Sequence, residues 1–472
     1  LNTRVNMLTA SLHQENVVYA CFNAQRQGDF KPYLLKSTDK GKTWVSIASN
    51  LPVRGTVYCL KQDPVQENLL FVGTEFGAYF STDGGLNWTK LSGLPTVAVY
   101  DLDIQEREVD LVAATFGRGF YVLDNYSPLR TLSKENLQKA AHLFPVKDAL
   151  LYIEADPLGL EGTGFQGHNM WSAKNPSFGA TFSLHVKDVP KDLKSTRQQK
   201  EKDLEKEGKD VSYPSFDALK AEELDEAAKF IWIISDAKGS EIRRMSSAAQ
   251  AGLVRQNWDL RKASTNPIGG WGRGPLVVPG TYYLRVLQVH NGQVDTLIAA
   301  TAFNVKGLNN QTLIAKDNQA LDAFRAQVAE LNRKVSGQEK RFEEANQELE
   351  LIEKAILNFP NTNMALLAEV RKLKLLKEEA KVTLYGDGLR TKHEFETVPS
   401  LTSRLGLLEY QLSDNTTGVS KTHQANLSMV QQQYDSLYPQ LQDYYKRLAA
   451  LQLELEKSNI PYTKSRLNWK ED

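Results

Sequence analysis

The sequence predicts a multidomain protein in three parts: β-propeller blades, then an Ig-like β-sandwich, then an α-helical coiled-coil or four-helix bundle. Three observations carry this. Ser37-Thr38-Asp39-Lys40-Gly41-Lys42-Thr43-Trp44 returns as Ser81-Thr82-Asp83-Gly84-Gly85-Leu86-Asn87-Trp88, with Asp39 to Asp83 and Trp44 to Trp88 both 44 residues apart. A repeat of that length, built of short apolar runs and Gly-containing turns, is the mark of stacked β units. Alternating apolar strands without this turn occupy the middle of the chain, and beyond Gly307 the apolar spacing changes to that of helices.

Composition limits the function classes. Lys plus Arg and Asp plus Glu both number 57, so no global field favours nucleic acid. No run is long and apolar enough to read as a membrane-spanning segment, and the start at Leu1 shows no basic-plus-apolar leader, so an export signal is expected to be removed or to lie upstream. Cys21 and Cys59 sit in comparable strand-like runs; pairing between neighbouring strands and two free buried thiols are both open, with free thiols favoured. His13, His142, His168, His185, His290, His393 and His423 form no i, i+4 pair, so neither a metal nor a cofactor is expected.

Residues 1–130 read as consecutive β units. In the repeated turn, Ser37, Asp39, Gly41 and Trp44, and their counterparts Ser81, Asp83, Gly85 and Trp88, have a structural reading. Asp accepts turn amides, Gly supplies a positive φ, the hydroxyl tightens the loop and Trp folds back as an apolar plug. A third, worn copy is expected to place Asp124 at the turn. Closing a propeller takes at least about four blades, so the chain reads as the tail of a longer protein or as needing blades from elsewhere.

These turns resemble the Asp-box (bacterial neuraminidase) repeats of sialidases, sortilins and related propellers. Gly73-Thr74-Glu75-Phe76-Gly77, Ala114-Thr115-Phe116-Gly117-Arg118-Gly119-Phe120 and Leu123-Asp124-Asn125-Tyr126-Ser127-Pro128-Leu129-Arg130 resemble, more narrowly, the end of the sortilin-like propeller in exported proteins of Bacteroidota, often labelled "glycosyl hydrolase". The resemblance implies export to the periplasm, cell surface or medium. Phe116 stands where that family usually has His. A sialidase-type site needs an Arg cluster, a Tyr nucleophile and an Asp acid; Arg118, Tyr121 and Asp124 are not brought together by any spacing rule, and no catalytic residue is assigned.

Residues 131–146 read as a connector with a helix from Ser133 to Ala141. Residues 147–307 read as the sandwich, with a charged, partly helical insertion over 190–229. Asn257-Trp258-Asp259-Leu260-Arg261 and Pro279-Gly280-Thr281-Tyr282 resemble the Ig-like sandwich of the flagellar hook-cap type. Gly269-Gly270-Trp271-Gly272-Arg273-Gly274 follows no strand-then-helix pattern and reads as an aromatic interface loop rather than a phosphate cradle. Asp295-Thr296-Leu297 and Asp435-Ser436-Leu437 match a short O-glycosylation pattern of Bacteroidota.

Residues 308–472 read as the helical bundle with a C-terminal tail. Leu321, Phe324, Val328, Leu331 and Val335, then Phe342, Ala345, Leu349, Ile352 and Ile356, keep a 3,4 spacing up to Asn358-Phe359-Pro360. Further helices are expected over 363–384, 399–413 and 419–457, the last kinked at Pro439. The functional expectation is a non-catalytic exported binding or scaffold protein of the envelope, with a protein partner, or a glycan or peptide ligand. The alternatives are a glycoside hydrolase whose site lies on upstream blades and a sortilin-like peptide receptor.

Overall fold

A computed structural model describes residues 3–155, 173–265, 273–309, 313–360, 362–457 and 460. The chain forms several mainly antiparallel sheets followed by a helical C-terminal region. The first sheet joins β1 (Arg4–Ala10), β2 (Val18–Ala24), β3 (Asp29–Ser37) and β4 (Val45–Ser46) in chain order. The second repeats this with β5 (Val57–Gln62), β6 (Leu70–Thr74), β7 (Gly77–Ser81) and β8 (Thr89–Lys90). The third has β9 (Val99–Gln105), β10 (Asp110–Thr115) and β11 (Phe120–Leu123) alone.

These meanders stack through their first strands, β1 and β2 on β5, and β5 and β6 on β9. Cys21, Leu34, Leu60, Val72 and Trp88 fill the first interface, and Cys59, Phe71, Val99, Leu102 and Leu111 the second. Cys21 and Cys59 are free and buried, and burial pushes the Cys21 thiol up to about 12. Gly73 is required where β6 passes β9, because a Cβ there would lie 2.5 Å from the Val99 carbonyl oxygen.

The helix expected from Ser133 to Ala141 is shorter in the structure. Here α1 spans Lys134–Gln138, capped by Ser133, and Ala141–Leu143 is already a strand, β12. Two further sheets pack together here. One has the order β12, β14 (Ala180–Val186), β17 (Gly252–Trp258). The other has β13 (Ala149–Leu151), β19 (Gln293–Gly307), β18 (Gly280–His290), β15 (Lys229–Ser235), β16 (Glu241–Ala248). Phe182, Trp232, Trp258, Tyr282 and Phe303 interlock between them. The charged insertion holds two helices, α2 (Leu193–Lys206) and α3 (Phe216–Leu224). Asp192 caps α2, and Arg197 forks onto Glu222 to pair the two. Both tripeptide glycosylation matches lie inside regular elements, β19 and the last helix.

The helices are α4 (Asn318–Asn358), α5 (Leu366–Tyr385), the short α6 (Gly388–Lys392), α7 (Leu401–Ser413) and α8 (Lys421–Glu456). All the 3,4-spaced apolar residues named for α4 are buried, as are Val430, Tyr434, Leu437, Leu441, Tyr444, Leu448, Leu451 and Leu455 of α8. The α8 helix runs continuously through Pro439, which lies on the exposed face. Water can take up the carbonyl that the missing N–H leaves free. Among the described residues no helix is long and apolar enough to cross a membrane.

Candidate functional site

The repeated turns and the candidate site occupy opposite ends of the stacked sheets. Both Asp turns follow the end at which β2 meets Ser37 and β6 meets Ser81. In the first, Asp39 accepts from the Ser37 hydroxyl (2.8 Å), the Thr43 amide (2.8 Å) and the Thr43 hydroxyl (2.6 Å). Asp83 accepts likewise from Ser81 (2.7 Å) and from the Asn87 amide and side chain (2.9 and 2.8 Å). The glycines Gly41 and Gly85 have φ of 86° and 97°, and their amides donate to Ser37 and Ser81. Thr43 first, then Ser37, pulls the Asp39 carboxyl down to about 2.

The two tryptophans differ. Trp88 is buried, donating its indole N–H to the Ile47 carbonyl (2.8 Å) across the sheet interface. Trp44 is 36% exposed and turns its N–H back onto Gly41 of its own turn (3.0 Å), so it is not an apolar plug here. The third copy departs by one residue. Val72 faces Tyr79 and Ala113 faces Tyr121, which makes Asn125, not Asp124, the counterpart of Asp83. Asn125 accepts from the Ser127 hydroxyl (2.6 Å) in a short turn of its own.

At the other end, each first strand bulges at the same place. The pairing skips Asn6 in β1, Tyr58 in β5 and Tyr100 in β9. A bulge re-aims one side chain out of the pleat, and here it does so in three successive sheets. Asn6 donates to the Val57 carbonyl (2.9 Å), linking the first bulge to the second sheet. Tyr58 and Tyr100 meet edge to face with centroids 4.3 Å apart, and Tyr100 meets Phe116 in the same way at 5.4 Å.

Polar groups complete this ledge. Gln25 donates to the Tyr58 hydroxyl (3.3 Å) and to the Glu75 carboxylate (3.2 Å), which also accepts from the Thr56 amide (3.4 Å). Burial raises the Tyr58 phenol, so it stays protonated. Tyr100, Phe116, Phe76 and Phe30 are 45%, 68%, 41% and 45% exposed. The arrangement offers aromatic surface beside one carboxylate and an amide, the chemistry of a ligand platform. The sequence signal for it was Val57-Tyr58-Cys59-Leu60 returning as Val99-Tyr100-Asp101-Leu102.

Arg118 and Asp124 lie beyond opposite ends of β11, six residues apart in sequence. They and the half-buried Tyr121 do not converge. Among the described residues no cluster of His, Cys, Asp or Glu could hold a metal; His142 and His185 face each other in β12 and β14, and burial lowers the His142 pKa. Of the Gly269–Gly274 stretch, Arg273 and Gly274 alone lie among the described residues, and they line a cavity of about 270 Å³ between the sandwich and the helices.

Arg325 of α4 closes that junction. It is 4% exposed and donates to the carbonyls of Leu276 (2.7 Å), Leu412 (3.1 Å) and Asn415 (2.6 Å). Lys262 pairs with Asp322 (2.6 Å), and Arg261 with Asp414.

No protein-family profile matches the chain. Over 78 residues it is 33% identical to Xyloglucanase Xgh74A of Acetivibrio thermocellus, a stretch of 15% of this chain and 9% of that protein. It is 31% identical over 75 residues to the Xyloglucanase of Hypocrea jecorina, 14% of this chain and 9% of that one. Among solved structures, an ancestral GH74 enzyme aligns at 24% identity over 24% of this chain and 14% of its own, with a TM-score of 0.21. YCF48 bound to D1 peptide aligns at 12% identity over 63% and 68%, with a TM-score of 0.21. The fold therefore rests on the strand pairing described above, and the chain is similar, over one short stretch, to xyloglucanases.

Proposed function

We propose that this chain is a binding module of an exported Asp-box propeller protein, and that its ligand, a neutral glycan chain, lies on the ledge of Tyr58, Tyr100 and Phe116. The observation that supports this is the bulge repeated at Asn6, Tyr58 and Tyr100, which aims three side chains to the same end of three sheets. Exposed rings offer faces to the apolar sides of sugar rings, and Gln25 and Glu75 suit hydroxyl groups. The short similarity to xyloglucanases favours a glycan over a peptide. In the same reading the sandwich is Ig-like, the turn residues Asp39 and Asp83 are structural locks, and the seam of α4 and α8 belongs to a bundle that docks a protein partner in the envelope.

Titration with xyloglucan oligosaccharides by calorimetry tests the ledge. Tyr100→Ala is expected to weaken binding about tenfold, corresponding to the loss of one aromatic contact. Binding that ignores Tyr100→Ala and Phe116→Ala would move the ligand elsewhere.

The same similarity favours a second reading, a glycoside hydrolase. Cleavage by either usual route takes two carboxyl groups about 5–10 Å apart, and Glu75 is the carboxylate that hydrogen bonds tie to the ledge. Release of reducing ends that Glu75→Gln abolishes would establish that reading in place of the first.

A further inference from the structure

We propose that β11 pairs edge to edge with the β11 of a second copy of this chain, antiparallel and centred on Tyr121. In the first two sheets a fourth strand covers the third: Ser46 and Val45 lie opposite Leu35 and Lys36, and Lys90 and Thr89 opposite Tyr79 and Phe80. The register makes Tyr121 and Val122 the counterparts of Tyr79 and Phe80. Among the described residues no strand lies against their outer edge. The cause is local. Where Asp83 turns the chain back to make β8, Asn125 turns it instead into the 3₁₀ segment Ser127–Thr131, and Tyr126 buries against Phe71.

Within β11 neither a charge nor a proline blunts the edge. A free strand edge is normally blunted by Lys, Pro or an inward charge, yet β11 reads Phe-Tyr-Val-Leu, and Phe120 and Val122 are 75% and 53% exposed. Arg255 donates to the carbonyls of Asp124 and Asn125 and so fixes the main chain just past the strand.

Charge selects the occupant. Arg118 precedes β11 and Asp124 follows it, both exposed. A parallel neighbour of the same sequence would set like charges together. An antiparallel copy centred on Tyr121 sets each Arg118 end against the other copy's Asp124 end, and each Phe120 opposite the other's Val122. The strand is thus its own complement, as a two-fold isologous contact requires, and the two three-stranded sheets would become one continuous sheet.

Sedimentation velocity across the micromolar range at low salt tests this. The expected result is a reversible dimer that Val122→Lys abolishes and Arg118→Asp weakens about tenfold through like-charge contacts at both ends. Combining Arg118→Asp with Asp124→Arg is expected to restore it. Because these side chains are exposed, an unchanged melting temperature shows that the variants fold. A chain that stays monomeric, a dimer indifferent to Val122→Lys, a charge swap that fails to rescue, or an edge that captures an unrelated strand instead of a copy would each overturn the proposal.

Discussion

Asp63 and Arg130, 67 residues apart in sequence, meet in a fork: Nε lies 3.1 and 3.0 Å from the two carboxylate oxygens and Nη2 lies 2.8 Å from Oδ2. The Asp63 side chain is fully buried and also accepts from the Tyr126 hydroxyl (2.7 Å) and the Val65 amide (2.9 Å). The pair ties the segment that leaves the third sheet to the turn between β5 and β6, so removing one partner strands the other in the interior. Asp63→Ala is expected to lower stability by about 3–5 kcal/mol, and Arg130→Met, which leaves the fully buried carboxylate without its cation, by at least as much. Denaturant melts with matched slopes measure both.

Acid acts on the same network. Burial alone would raise the Asp63 carboxyl, but Arg130 and the turn amides outweigh it and lower the pKa, while the turn hydrogen bonds hold Asp39 near 2. A carboxyl whose folded pKa is depressed contributes stability above its unfolded pKa and loses it as pH falls through the folded value. Unfolding free energy is therefore expected to be flat from neutral pH down to about 5 with respect to these groups and to decline between about pH 4 and 2. In Asp63→Asn the decline should be shallower, as read by the denaturation midpoint against pH.

The two turn tryptophans should differ sharply in their contribution. Trp88→Ala empties a buried site between sheets and removes the bond to Ile47, with an expected cost of about 3–5 kcal/mol. Trp44→Ala acts on a partly exposed ring that touches its own turn and should cost under about 1 kcal/mol. Fluorescence adds a second readout, since quenching by iodide should reach Trp44 and spare Trp88.

Arg325→Met tests the junction between sandwich and helices. Burial lowers the guanidinium pKa to about 10, which leaves it charged at neutral pH and hydrogen-bonded to carbonyls from both sides. The variant orphans those carbonyls, at an expected cost of about 3 kcal/mol. Hydrogen exchange is expected to accelerate at the Leu276 amide, which donates to Ser413, and at the Ala315 amide, which donates to Thr416. Exchange in the interior of α8 should stay unchanged.

The helical core was legible because a stripe of Leu321, Phe324, Val328 and their successors has one periodicity and needs no partner to be read. Arg325, on the same stripe, was not, because its reason for burial is carbonyls on β18's approach and on α7's end. The Asp turns were readable as local hydrogen-bonding devices. What failed was whatever depended on a neighbour: the fate of Trp44 against Trp88, and the one-residue displacement that puts Asn125 where Asp124 was expected. The ledge was missed for a related reason, since Tyr58 and Tyr100 sit in ordinary alternating runs and only strand pairing reveals the bulges. In the insertion, the charges read only as a partly helical excursion, whereas the Asp192 cap and the Arg197–Glu222 fork hold a helix over Leu193–Lys206.

Arg325 also has a mechanical meaning. Its guanidinium grips main chain on the sandwich side at Leu276 and main chain at the end of α7, while α4, at about 60 Å from its 41 residues, is a long arm. A tug at the far tip of that arm reaches the sandwich close to the pivot, through Arg325 and the neighbouring Lys262–Asp322 and Arg261–Asp414 pairs. The helices would then swing as a lever with the sandwich as its fulcrum.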